Sequence, residues 1–116
     1  MDLSAEVKAL LAEYGEEVTE ALQEVVPKVA KEAVKRLRKE SPGDGNYHKG
    51  WTQKTDKGRL GISSVVYNAK APGLPHLLEY SHALRNGGRS RPIVHIKPVE
   101  EWANEEVVRE IEEALS

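Results

Sequence analysis

The 116-residue chain has no cysteine, no phenylalanine and no long apolar run, and each absence removes a class of explanation. Without cysteine there are no disulfides, thiolate metal ligands or cysteine nucleophiles. Without phenylalanine, and with two Trp and four Tyr, a core has to be built from Val, Leu, Ile and Ala around few rings. No stretch approaches the ~20 apolar residues that a membrane helix needs. The opening MDLSAEV has neither the basic nor the apolar region of a secretory signal, so a soluble protein made in a cytoplasm, with no membrane partner, is expected. What is present is globular: 39% hydrophobic and 31% charged residues, in a length that suits one domain over 1–116.

Net charge is only −2, yet it conceals three blocks. Residues 1–26 carry one base against seven acids (−6), residues 27–97 fifteen against five (+10), and residues 98–116 one against seven (−6). Solvated helix faces account for part of this. Charge alone favours that reading, and the alternatives are ends and middle that face different partners or a self-assembling subunit with complementary patches.

Apolar residues recur at steps of three and four through Leu3, Val7, Leu10, Tyr14, Val18, Leu22, Val25, Val29, Ala33 and Leu37. This spacing predicts a long amphipathic helix over residues 1–40, capped by Asp2 or Ser4, with a kink at residues 23–26 or two helices end to end because of Pro27. The breaker cluster at 41–46 ends it. Residues 51–55 read as a strand, 56–58 as a hairpin turn and 59–68 as the return strand, with a bulge or burial on both faces where Val65, Val66 and Tyr67 adjoin. A short helix from Leu74 or Pro75 to Tyr80 follows, then a mobile basic loop over 85–92 and a short third strand over 93–96. Pro98 is expected to open a final helix over 98–116 with Val99, Trp102, Ala103, Val107, Ile111 and Leu115 on one stripe. The fold class is therefore α+β: a long N-terminal helix and a C-terminal helix packed on a small antiparallel sheet, with a short helix between strands.

Four histidines invite a chemical reading. His76 and Glu79 stand one helical turn apart and could form half a metal site, but His82, six residues on, falls about 120° off that face, and the HExxH spacing is absent. A surface His paired with a Glu explains the same residues. A metal-independent nuclease could use His76, Glu79, His82, Arg85 and His95 as acid, base and phosphate clamp. A nucleic-acid-binding module could use Lys49, Lys54, Lys57, Arg59, Arg85, Arg89 and Arg91, although only Tyr47 and Trp51 interleave them, and Trp51 suits a core position better. Gly87 and Gly88 sit in no phosphate-loop pattern.

Several motifs in fixed order carry a more specific signal. Ser41-Pro42, Asp44-Gly45, Tyr47, Gly50-Trp51 and Val65-Val66-Tyr67-Asn68 precede the segment HLLEYSHALRNGGRSRPIVHIKPVEEWANEE at 76–106. Together they resemble the small head-to-tail joining, or tail-completion, proteins of long-tailed, lambdoid-type bacteriophages. The resemblance covers about residues 40–106, and the first helix matches in kind only. Ser81 stands where that family usually has Gly, Ile93-Val94 lengthens the step to His95, and one residue is missing before Tyr47.

The resemblance implies the α+β architecture already reached and a structural virion protein of the neck, assembled in the bacterial host cytoplasm, with no catalytic task, no cofactor and no metal. It implies a homo-oligomeric ring, hexameric by family likeness, between the phage tail-tube protein and the head connector or stopper protein, with DNA passing through the lumen. The motif positions that would carry the structure are Tyr47, Trp51, Tyr67, Asn68, His76, Glu79, His82, Pro92, His95, Pro98 and Trp102. His76 and Glu79 would fix the short helix against the sheet. Arg85, Asn86, Gly87, Gly88, Arg89 and Arg91 are the candidates for partner docking.

Overall fold

A computed structural model describes residues 1–116 except Asp44, Leu60, Ser81 and His82. The motif position Asp44, the strand residue Leu60, the turn residue Ser81 and the candidate site residue His82 therefore lie outside the described residues. The chain is α+β: a long helix packs on a two-stranded antiparallel sheet and against a C-terminal helix.

The first apolar stripe forms two helices, with the break well ahead of Pro27. Helix α1 spans Ser4–Tyr14 with Leu3, not Asp2 or Ser4, at its N-cap and no side-chain cap there; Asp2, one residue earlier, accepts the N–H of Ser4 through its carboxylate at 2.9 Å. Gly15 ends α1 by donating to Leu11 O with φ at 77°, a conformation that a residue with a Cβ adopts only under strain. A 3₁₀ turn at Glu16–Val18 then leads into α2, Thr19–Glu40, about 33 Å long. Pro27 lies inside α2, which continues through it. Val25, Val26 and Val29 around it are buried, so packing on both sides holds the helix where local propensity would break it.

Helix α2 is the centre of the molecule. Its stripe from Leu22 through Val29, Ala30 and Ala33 to Leu37 is buried, and it packs against both strands and against the last helix. Helix ends and loops complete the frame: α3 is a single turn at Asn46–Lys49, in a region expected to be irregular, and it turns Tyr47 into the core.

Strand β1, Trp51–Lys57, pairs with β2, Ile62–Asn68, from Trp51↔Asn68 to Lys57↔Ile62. The strand continues through Asp56 and Lys57, which the sequence reading gave to the turn; the connection instead closes by Gly58 N–H donating to Gly61 O at 2.9 Å. No bulge interrupts β2. Its burial alternates cleanly, with Ile62, Ser64, Val66 and Asn68 inward and Val65 and Tyr67 outward, so the adjacent apolar residues lie on opposite faces. The third strand expected at 93–96 is also corrected. Ile93 and Val94 are exposed chain, and the main chain of residues 1–3 takes up the free edge of β2 through Leu3 N–H to Ser64 O and Val66 N–H to Met1 O.

Helix α4, Leu74–Glu79, therefore follows the hairpin and lies between no pair of strands. Helix α5 spans Ile96–Leu115, so it opens two residues before Pro98, which occupies its first turn. Val99, Ala103, Val107 and Ile111 bury the predicted stripe, Trp102 is half-buried, and Leu115 is exposed. The Arg36 guanidinium lies 3.8 Å over the Trp102 ring and joins the outer rim of the α2–α5 contact. The molecule measures 55 × 24 × 22 Å, and its radius of gyration of 16.2 Å exceeds the ~13 Å of a compact chain this long.

Candidate functional site

The motif residues converge on one buried junction where α3, the start of β1, the end of β2, α4 and the start of α5 meet. Tyr47, Trp51, Asn68, Glu79 and His95 are all buried there. The rings of Tyr47 and Trp51 lie 5.5 Å apart, and both make edge or tilted contacts with His95.

Glu79 is the hub. Its Oε1 accepts the N–H groups of His95 (2.9 Å) and Ile96 (3.0 Å), and its Oε2 accepts that of Lys97 (2.9 Å). These are the unpaired donors at the start of α5, and the next residue, Pro98, has no N–H to satisfy. One carboxylate and one proline thus complete the helix terminus, with a negative charge where the helix dipole favours it. Glu79 therefore ties α4 to α5, whereas the sequence reading placed its contact on the sheet. Burial alone would raise its carboxyl above the ordinary value, but the three N–H donors and the His95 ring outweigh that and hold it lower.

His95 is held through both ring nitrogens. Its Nδ1 lies 2.7 Å from Ile93 O, which can only accept, so Nδ1 carries the proton and also faces Glu79 Oε1 at 3.1 Å. Nε2 lies 2.6 Å from the Tyr47 hydroxyl oxygen. Burial, and then the Glu79 charge, pushes the Tyr47 phenol up to about 12, which keeps it a donor at any ordinary pH.

The other wall of the junction is built by Asn68 and Trp51. Asn68 Nδ2 donates to Tyr47 O, and its Oδ1 accepts the N–H groups of Lys70 and Ala71. Trp51 Nε1 donates to Ser41 Oγ at 2.7 Å, and Arg38 grips Trp51 O with two N–H groups. Gly50 is fixed by space: a Cβ there would stand 2.2 Å from Asn68 Oδ1. Gly50→Ala is expected to cost about 1–3 kcal/mol, read as a lower urea midpoint at unchanged slope, because the buried Asn68 cannot move without releasing three hydrogen bonds.

The remaining predicted positions lie elsewhere. His76 is exposed and stacks beside Tyr80, with ring centroids 5.3 Å apart, so it does not face the sheet. Tyr67 is on the outer face of β2, and Pro92 and Pro98 are exposed. Arg85, Asn86, Gly87, Gly88, Arg89 and Arg91 are exposed too. The first part of their loop is a tight hairpin: Gly87 N–H donates to Leu84 O, Leu84 N–H to Gly88 O, and Ala83 bridges Arg89. Farther on, Ile93 N–H returns to Leu78 O, which fastens this arm to α4.

Of the residues offered for a nuclease, Glu79 and His95 are thus committed to the buried junction, and His76 and Arg85 are on the surface. Among the described residues no group of three or more His, Asp or Glu side chains could hold a metal ion, and no helix is long and apolar enough to cross a membrane. Of the basic patch, Lys49 on α3 and Lys54, Lys57 and Arg59 in and after β1 are exposed, as are Arg85, Arg89 and Arg91 in the arm. Comparison with family models, characterised proteins and solved structures found no match to this chain.

Sequence reasoning missed the hub role of Glu79 and the inward placement of Asn68. A signal for Asn68 was present: it shares the phase of Ile62 and Val66 in β2, and a polar residue in a buried phase needs a partner.

Proposed function

We propose that this protein is a structural subunit of a bacteriophage neck, which completes the tail and joins it to the head connector as part of a homo-oligomeric ring. The observation that carries this reading is where the resemblance residues fall. Tyr47, Trp51, Asn68, Glu79 and His95 come from segments far apart in the chain, and they are spent on one buried anchor for an exposed arm. The arm so anchored is exposed, and a ring subunit needs exposed surfaces for its neighbours, the tail tube and the head. The elongated shape and the separation of charge into two acidic ends and a basic middle fit the same role.

The test is to interrupt the gene in the phage or prophage that carries it and examine the lysate by electron microscopy. Filled heads and finished tails lying separate are the expected result. Normal joined particles overturn the reading, and cleavage of RNA or DNA by the purified protein, lost in His76→Ala, would favour a nuclease.

A further inference from the structure

Five of the large apolar side chains left exposed among the described residues crowd into one segment: Leu77, Tyr80, Leu84, Ile93 and Val94. Tyr80 is 61% exposed and Val94 56%, in a chain short of aromatic and apolar residues. The same arm carries Arg85, Arg89 and Arg91. Apolar side chains among cations suit a protein surface with an acidic rim better than a polyanion, which would need the cations alone.

The chain itself presents such a surface. On the side of α5 that meets α1, a groove of about 380 Å³ is floored by the half-buried Val108 and rimmed by Glu6, Glu105 and Glu112, with Asn104 and with Arg109, a cation already paired with Glu106 and Glu113. No residue of the arm lines it within one copy. Val108 lies thirteen residues along α5 from His95, a rise of about 20 Å, and the arm is fastened to α4 at the opposite end.

We propose that the arm of one copy docks in the α1–α5 groove of the next, with Ile93 and Val94 on the apolar floor and Arg85 and Arg91 against the glutamate rim. The occupant is a second copy because the basic arm and the acidic groove belong to the same chain and match in charge and apolar content. Different patches meeting head to tail generate a closed ring or a filament, never a simple two-fold dimer. This contact deepens the ring reading above and rests on it.

The absence of cysteine makes the test clean. The full chain carrying Ile93→Cys and Glu105→Cys, both at exposed sites, is oxidised with copper phenanthroline in air and run on a non-reducing gel. A ladder of covalent multimers is expected, with neither single variant giving more than a dimer. Arg91→Glu should weaken self-association by about tenfold or more in sedimentation, and adding Glu105→Arg and Glu112→Arg to it should restore most of that loss. A chain that remains monomeric at about 1 mM, or one that associates without the ladder, overturns the contact. Association without the ladder, together with unjoined heads and tails in the interrupted phage, would remove this contact and leave the ring reading standing. A ladder with normal particles in that phage would do the reverse.

Discussion

Glu79→Met lowers the stability of the folded chain by about 3–5 kcal/mol, a large share of the ~5–15 kcal/mol that a domain of this size has. The substitution keeps most of the side-chain volume and removes both acceptor oxygens. Three N–H groups at the start of α5 then have no partner, and α4 loses its tie to α5. Urea unfolding followed by far-UV circular dichroism reads the loss. Glu79→Gln retains one acceptor oxygen and should fall between the two.

The same group sets a pH dependence. The folded-state value of Glu79 lies below its ordinary 4.5, so its contribution is complete above that value and is lost as pH falls through the lower folded-state value. The stability gap between the native chain and Glu79→Gln should be constant near neutrality and narrow on acidification. A gap that widens in acid would mean that Glu79 is held protonated in the junction.

Trp51→Ala should cost about 3–5 kcal/mol and lower the melting temperature by roughly 15–25 °C. Trp51 is the largest of the fully buried side chains, and its loss opens a cavity beside Tyr47 and His95 while leaving Ser41 Oγ without the indole donor. Trp102→Ala provides the contrast. That ring is half-buried beneath Arg36, so about 1–2 kcal/mol is expected. Equal losses at the two sites, measured by calorimetry, would contradict the placement of the core.

The sequence does not separate these two tryptophans: Trp51 reads as core at a strand start, and Trp102 falls on the apolar stripe of α5, where the structure leaves it half-buried. The stripe through Val99, Ala103, Val107 and Ile111 predicted which side of α5 is buried, because a 3.6-residue period is a local property. The long stripe over 3–37 likewise marked the buried faces of α1 and α2. The break between them was misplaced because Pro27 is a stronger local signal than Gly15, and tertiary packing of Val25, Val26 and Val29 overrode it.

The misses share a cause. Ile93 to Ile96 is apolar enough for a strand, but a strand needs a pairing edge, and the edge of β2 is taken by residues 1–3, a segment too short to announce itself. The junction was legible as a set of motif residues and not as a geometry. Nothing local states that a glutamate at the end of a six-residue helix will satisfy the terminus of another helix sixteen residues away.

The central claim is that this chain joins heads to tails, and in vitro complementation tests it most directly. Purified protein is added to a lysate of the interrupted phage, in which heads and tails have accumulated separately, and infectious titre is counted before and after. Recovery of titre with the native chain, and little or none with Glu79→Met, is the expected result. A titre that stays at background with fully folded native protein, or a lysate that is infectious without it, would contradict the claim.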